Sequence, residues 1–172
     1  MTGFLWNYGK DCQETRFQNC TVNLCSYIEM ITLIALLVIN LIIFFTMKED
    51  PVLTEVREKY RIFREHLISN GDVEFEMLHK EIPIVAHRKV LTTAIGYNSN
   101  KGAEIGICID GTVNEVFHVL LHELAHCTVE EYSHSTKFWE NYEKIKQKSI
   151  ELKIYENIPE ATPFCGRKIK DK

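Results

Sequence analysis

The most apolar part of the chain lies near its N-terminus. Between Met30 and Met47 no residue is charged, and a run of this length suits a helix that crosses a bilayer. Its only polar members are Thr32, Asn40 and Thr46. The core helix of a soluble protein would show a polar face, and a signal peptide would start earlier and end at small residues. The pattern therefore predicts a transmembrane helix over residues 28–47, behind a short cysteine-rich tail over residues 1–27.

The next segment has the periodicity of an amphipathic helix. Asp50 suits the N-cap position and Pro51 the first helical position, where the missing N–H costs nothing. Apolar residues then recur at helical spacing, namely Val52, Val56, Tyr60, Phe63 and Leu67. Asn70-Gly71 is a typical helix end. We expect a connecting helix over residues 48–71, ahead of a globular domain over residues 72–172.

Short apolar and β-branched stretches follow, separated by turn-forming residues. They read VEFEML, IPIVAH, VLTTAIGY and AEIGICID. The turn YNSNKG at residues 97–102 predicts that the last two stretches form a hairpin. The final strand, from Ala103 to Asp110, is almost entirely apolar, which indicates burial on both faces or a groove alongside it.

Two helices are predicted behind the strands, so the fold class is α+β. Thr112 and Glu115 have the spacing of a capping box, which predicts a helix from about Val113 to Val129. A second helix is expected from about Ser135 to Tyr155. Its apolar face comprises Phe138, Tyr142, Ile145, Ser149 and Leu152. The C-terminal residues behind this helix show no clear periodicity.

Composition narrows the class of partner. The formal net charge of −4 provides no basic surplus, so the charge balance gives no strong sign of nucleic-acid binding. Lysine and arginine are more frequent behind the apolar run than before it. The positive-inside rule therefore predicts a single-pass membrane protein whose C-terminal domain faces the cytoplasm, or a virion or host membrane if a virus encodes it. No oligomeric state follows from the sequence.

The six cysteines form two groups. Three precede the apolar run, namely Cys12, Cys20 and Cys25. Their crowding suits a tail that is stapled by disulfides in an oxidising compartment. Behind the run, Cys108 and Cys165 are expected to be free thiols if the domain is cytoplasmic, and Cys127 is expected to pack in the core.

The candidate chemistry lies in LLHELAH, an H-E-x-x-H motif in the second half of the first domain helix. His122 and His126 are four residues apart and can direct their ring nitrogens at one metal ion. Glu123 lies beside them, within reach of a water on that ion. His134 is the best candidate for a third ligand, because the intervening loop is long enough to fold back over the metal. His118 lies one helical turn, about 5.4 Å, before His122, which is too far for it to share the same metal ion. We therefore interpret His118 as a residue that packs beside the site or in the core.

Three protein ligands and an open position for water define a catalytic zinc site. Zinc would lower the pKa of the water, and Glu123 would accept its proton as the water attacks a carbonyl carbon. The sequence therefore predicts one Zn²⁺ per chain and hydrolysis of amide bonds in a protein or peptide substrate.

The same residues resemble the WLM metallopeptidases, relatives of the SprT and Spartan proteases in the zincin group. The similarity rests on LLHELAH, the later HSTKFW, the strand EIGICI and the segment KIYENIPEATPFCG, and it extends from about Val73 to Ile169. Similar domains are encoded by large DNA viruses and some eukaryotes. The resemblance implies a minimal zincin-like domain with a small mixed or antiparallel sheet packed on the active-site helix and a C-terminal helix. It also implies zinc ligands and a general base, namely His122, His126, His134 and Glu123.

The resemblance implies a place for the substrate as well. A peptide would lie along the strand from Ala103 to Ile109 as an extra strand, so Ile105, Gly106 and Ile107 are expected to contact it. Phe138 would anchor the loop that carries the third ligand. Relatives often act on proteins crosslinked to DNA, but this chain has an apolar run and no basic surplus, so that role is not inferred.

Two other interpretations stay open. A membrane-anchored binding or structural protein could keep the zincin fold without turnover, although such a protein would have no need of Glu123. The apolar run could also pair with another subunit in a soluble complex.

Overall fold

The computed structural model describes residues 11–46, 49–90 and 94–171, with the side chains of the first range described over residues 27–45. The chain divides into two compact units, and the boundary follows Lys48. The second unit, Glu49–Lys172, therefore includes the amphipathic helix that the sequence assigned to a separate connecting segment.

The N-terminal unit contains one helix, α1, from Asp11 to Thr46. Its apolar part, Tyr27–Phe45, has a mean hydropathy of 2.7 and no buried residue. This helix is long and apolar enough to cross a membrane, although a signal sequence has the same properties. The side chains of Cys12, Cys20 and Cys25 lie outside the described residues, so their disulfide bonding stays a prediction.

The second unit begins with α2, Pro51–Ser69, which starts where the sequence predicts. The Asp50 carboxylate accepts a hydrogen bond from the Val52 N–H at 2.9 Å, which caps the helix. Four residues of the predicted apolar face are buried, and Leu53 rather than the partly buried Val52 completes the buried set, which is Leu53, Val56, Tyr60, Phe63 and Leu67. Because all five belong to the main hydrophobic core, α2 is part of the folded domain.

A three-stranded sheet follows, with the order β1-β3-β2. Its strands are β1 (Ile84–His87), β2 (Gly96–Ser99) and β3 (Glu104–Cys108). β3 is central, parallel to β1 and antiparallel to β2, which confirms the predicted hairpin. The first predicted strand, VEFEML, is wrong, because this stretch contains a short 3-10 helix at Glu76–Leu78.

Two helices complete the core and confirm the α+β fold class. They are α3 (Val113–His126) and α4 (Thr136–Glu151). The predicted capping box is present, since Thr112 and Glu115 each accept a hydrogen bond from the other's backbone N–H. α3 contacts α2, α4, β2 and β3, and most of its side chains are buried.

A small C-terminal hairpin was not predicted. It pairs β4 (Thr162–Phe164) with β5 (Arg167–Ile169), and the turn residues Cys165 and Gly166 have φ angles of 45° and 82°. Three-residue strands are too short to show a two-residue period in a sequence.

Cys165 forms a disulfide bond with Cys108 at the end of β3. The expectation that both are free thiols is therefore wrong. The two residues are 57 positions apart in the chain, and sequence spacing alone does not reveal such pairing. The bond fastens the C-terminal hairpin to the sheet beside the start of α3.

Loss of this disulfide should destabilise the second unit. Closing a loop of 57 residues removes unfolded-state entropy equivalent to about 4 kcal/mol, which is an upper figure because measured effects are often smaller. We expect Cys165→Ser to lower the free energy of unfolding by about 2–4 kcal/mol, measured by urea denaturation. Reductant should lower wild-type stability similarly and leave the variant unchanged. A wild type that is insensitive to reductant would contradict the bond.

Candidate metal centre

The three histidines of the motif converge at one point. α3 carries His122 and His126 in its last two turns, and the loop behind it returns His134 just before the Ser135 cap of α4. One ring nitrogen of each histidine lies within 4.8 Å of the other two. The Nε2 atoms of His122 and His134 are 2.9 Å apart. The structure therefore brings the three predicted ligands together.

Phe138 of α4 supports the cluster. Its ring centroid lies 5.0, 4.5 and 4.7 Å from those of His122, His126 and His134, and the residue is fully buried. The Phe138 N–H donates to Ser135 Oγ at 3.1 Å, which caps the helix beside the third histidine. Phe138 thus holds the returning loop against α3.

The donor set fits a zinc ion. Tetrahedral zinc with Zn–N bonds of 2.0–2.1 Å places its imidazole nitrogens about 3.4 Å apart. The 2.9 Å between two of the nitrogens and the limit of 4.8 Å for all three are compatible with that value. Burial, with smaller contributions from the neighbouring His134 and Lys101, lowers the pKa of His126 to about 4. His126 is therefore neutral at physiological pH, which is the form that binds metals.

Glu123 lies beside the histidines in a buried position. It is 6% exposed, and this burial raises the pKa of its carboxyl group to about 7. That value applies without a cation, since a nearby Zn²⁺ would favour the ionised carboxylate and lower the pKa. Asn98 of β2 fixes this turn of α3 by donating from Nδ2 to the Glu123 backbone carbonyl at 2.8 Å.

Gly96 brings β2 close to this carboxylate. A Cβ atom at this position would lie 2.6 Å from Glu123 Oε1 and 2.6 Å from Val119 Cγ1, well inside contact distance. Any side chain at position 96 would therefore displace the carboxylate or the strand. Neither Gly96 nor Asn98 was singled out from the sequence, because their importance depends on the packing of β2 against α3.

The histidines and Glu123 open into a cleft of about 450 Å³. One wall is formed by β2 through Gly96 and Asn98, and the C-terminal hairpin contributes Arg167 and Ile169. Further lining residues are Ile95, Lys101, His118, Val119 and Tyr132. The cleft has room for a segment of peptide over the three histidines.

The predicted substrate strand needs correction. β3 is paired on both sides, with Ile105 opposite Ile84 of β1 and Asn98 of β2. Ile105, Gly106 and Ile107 are buried and offer no free edge, so their assignment as peptide-contacting residues is wrong. Among the described strands, β2 pairs with β3 alone, and its Gly96 and Asn98 line the cleft. An apolar strand indicates burial, but the order of strands cannot be read from it.

A second group of side chains that could bind a metal ion has a structural role instead. Cys108, Asp110 and Cys165 lie together, but the two sulfur atoms are bonded to each other. The Asp110 carboxylate accepts hydrogen bonds from the Lys89 N–H at 2.7 Å and from Arg88 at 2.8 Å. This cluster is therefore structural.

Comparison with known proteins shows the family of this chain. The model of the WLM domain matches residues 76–170, more than half of the chain, and the chain belongs to the WLM domain family. A relative, uncharacterized protein R325 of Acanthamoeba polyphaga mimivirus, is 35% identical over 80 residues, or 41% of this chain. The match spans only about two fifths of that relative's own length. The crystal structure of Wss1 from Saccharomyces cerevisiae matches this chain with a TM-score of 0.46 and a sequence identity of 16%. The match covers 59% of this chain and 77% of the Wss1 chain.

The raised pKa of Glu123 predicts a specific pH dependence for the metal-free protein. The folded state keeps this proton up to a pH of about 7, whereas the unfolded chain releases it near 4.5. The resulting stabilisation is complete below about pH 4.5 and is lost as the pH rises through about 7. Relative to Glu123→Gln, the wild type should lose about 3 kcal/mol between about pH 4 and about pH 8.

Urea denaturation of both proteins in a chelator measures this difference. Glu123→Gln is the matched control because it keeps the shape of the side chain without its titration. A wild-type-minus-variant difference that stays constant over this pH range would show that the carboxyl group is not buried as described.

Proposed function

We propose that this chain is a zinc-dependent peptidase that is anchored in a membrane and hydrolyses peptide bonds in protein substrates. The observation that carries the proposal is the convergence of three histidine nitrogens beside one buried carboxylate, in a cleft walled by the edge strand β2. The WLM domain supports the metallopeptidase class.

Each residue of the site has a separate task. His122, His126 and His134 would hold one Zn²⁺. When bound, zinc supplies Lewis-acid chemistry, which activates water and polarises a carbonyl group. Glu123 accepts the proton of the attacking water on its carboxylate and passes it to the leaving amine. Gly96 and Asn98 keep that carboxylate in place through the packing of β2 on α3.

We place the substrate peptide along β2 rather than β3. An extended peptide that pairs with the free edge of Gly96–Ser99 would satisfy backbone groups and pass directly over the histidines. Backbone pairing of this kind requires an unfolded segment, so flexible regions of proteins are the expected substrates.

Zinc content and cleavage test the proposal together. We expect the purified wild type and Glu123→Gln each to bind one zinc ion, as measured by metal analysis. Only the wild type should cut a denatured casein, because Gln cannot accept the proton. His134→Ala should lose tightly bound zinc.

Three outcomes would contradict parts of this proposal. A folded wild type without affinity for zinc would refute the metal site. Equal cleavage by both proteins would exclude Glu123 as the base. Bound zinc with no cleavage of any denatured protein would support a binding protein with a zincin-like fold.

We also propose that Tyr27–Phe45 of α1 spans a membrane and that the second unit lies on its oxidising side. The apolar helix supports the span, since none of its residues is buried by protein. The Cys108–Cys165 disulfide supports the compartment, because such bonds are rare in the reducing cytosol. This location is opposite to the one that charge counting predicts.

Thiol labelling in cells tests this location. In a variant with serine at positions 12, 20 and 25, a maleimide–polyethylene glycol reagent should label one cysteine, Cys127, in acid-quenched and denatured samples. Reduction before labelling should expose two more thiols. Three labelled thiols without prior reduction would place the domain in the cytosol, and digestion of the domain by protease outside sealed vesicles would agree with that result.

A further inference from the structure

His118 is a buried histidine that the proposed zinc chemistry does not use. It lies one turn before His122 on α3, is 8% exposed, and lines the same cleft. It is not part of the group of three histidines that could hold one ion. Its surroundings nevertheless fix the ring in one orientation.

Three polar groups surround the Nδ1 atom of His118. The Tyr155 hydroxyl lies 2.9 Å away, the Tyr142 hydroxyl 3.2 Å and the Asp171 carboxylate 3.4 Å. Both hydroxyls donate their protons to Asp171, at 2.5 and 2.9 Å. They therefore have no proton left for His118, so Nδ1 must carry its own hydrogen and act as the donor.

Asp171 is well held as an anion. It is 4% exposed and also accepts a hydrogen bond from the Ile158 N–H at 2.7 Å. Burial alone would raise the pKa of Asp171, but hydrogen bonds from His118, the Ile158 N–H and the two tyrosines hold it well below its ordinary value. A fixed anion on one side of the ring keeps the hydrogen on Nδ1, as carboxylates do for histidines in other enzymes.

In the neutral ring the other nitrogen, Nε2, is consequently an acceptor, and His118 lines the cleft. Among the described residues, Nε2 of His118 has no protein hydrogen-bond partner, and it is not one of the fully buried atoms that lack one, so it is accessible from the cleft that His118 lines. A substrate in the cleft would meet this lone pair one helical turn away from the zinc ligands.

We propose that His118 is a substrate-contacting residue, whose Nε2 accepts a hydrogen bond from a backbone N–H of the peptide in the cleft, and that Asp171 is the positioning residue that orients it. The proposal rests on the peptidase function proposed above and names a determinant of how the peptide is held. Loss of this bond should lower kcat/KM about tenfold, because one hydrogen bond to a buried group is worth roughly that factor.

The same buried network would form if His118 only stabilised the fold. The variants must therefore distinguish the contribution of Nδ1, which contacts the network, from that of Nε2. His118→Asn places its amide near the position of Nδ1 and removes the group at Nε2. His118→Gln places its amide near Nε2, where its oxygen can accept, and removes the group at Nδ1.

The kinetic test uses the full chain in detergent micelles, with denatured casein as substrate. We expect His118→Asn to keep wild-type zinc content and a similar Tm but to lose kcat/KM about tenfold. His118→Gln should lose thermal stability, yet retain more activity per folded molecule than His118→Asn. Asp171→Asn should lose activity, because its amide can donate to Nδ1 and move the ring hydrogen to Nε2. Asp72→Asn is the matched control, since its carboxylate pairs with Lys148 and is not part of the cleft lining.

A second measurement does not depend on turnover or on the folding of His118 variants. In zinc-loaded Glu123→Gln, ¹⁵N NMR of the imidazole groups should show the Nδ1–H tautomer for His118. Its Nε2 resonance should move when a peptide from casein is added. A resonance that does not move, or a His118→Asn variant as active as the wild type, would overturn the inference. If the wild type never cuts casein but the Nε2 resonance moves, the proposed catalysis fails and this contact stands.

Discussion

The structure depends on the burial of α3. This helix carries polar side chains, including His118 and Glu123, although most of its surface is packed against other elements. A buried polar side chain costs several kcal/mol unless another group satisfies it. Thr112 caps the start of the helix, and Asn98 bonds to the backbone beside Glu123. Further along the chain, Asp171 anchors the tyrosines around His118. Elements far apart in sequence are therefore required at fixed places around one helix.

Much of that helix could be predicted, because its signals are local. The capping box at Thr112 and the four-residue spacing of His122 and His126 each depend on neighbours within one or two turns. The turn before β3 was equally predictable, because the stretch YNSNKG is rich in turn-forming residues. In the structure Asn100, Lys101 and Gly102 have positive φ angles there. The role of His134 as a candidate third ligand was predicted from the length of the loop behind α3 and from the resemblance to WLM peptidases.

The features that were missed are set by contacts between distant residues. Cys108 meets Cys165 only because a hairpin of two three-residue strands folds back beside the sheet. Asp171 bonds to Tyr142 and Tyr155 for the same reason. The substrate edge was assigned to β3 because an apolar strand can be central or can line a groove. Only the pairing of strands distinguishes these alternatives.

The conflict over location has a similar origin. Charge counting relied on arginines behind the apolar run, but these residues are paired within the folded unit. Arg57 contacts Glu49, and Arg61 contacts both Glu58 and Glu65. Such charges belong to the surface of a folded domain, which can cross a membrane largely regardless of its charge. The proposal of an oxidising compartment therefore rests on the Cys108–Cys165 disulfide, because such bonds are rare in the reducing cytosol.

Burial also couples the charge of Glu123 to that of the candidate metal centre. Without a cation, the pKa of Glu123 is raised to about 7 and that of His126 is lowered to about 4, so each tends towards its uncharged form. The closed packing around α3 is therefore tolerated before any ion is bound. A divalent cation among the histidines would keep His126 neutral but would favour the ionised carboxylate of Glu123, with release of a proton. In the proposed mechanism, Glu123 would therefore become a base only after a metal ion had bound to the three histidines.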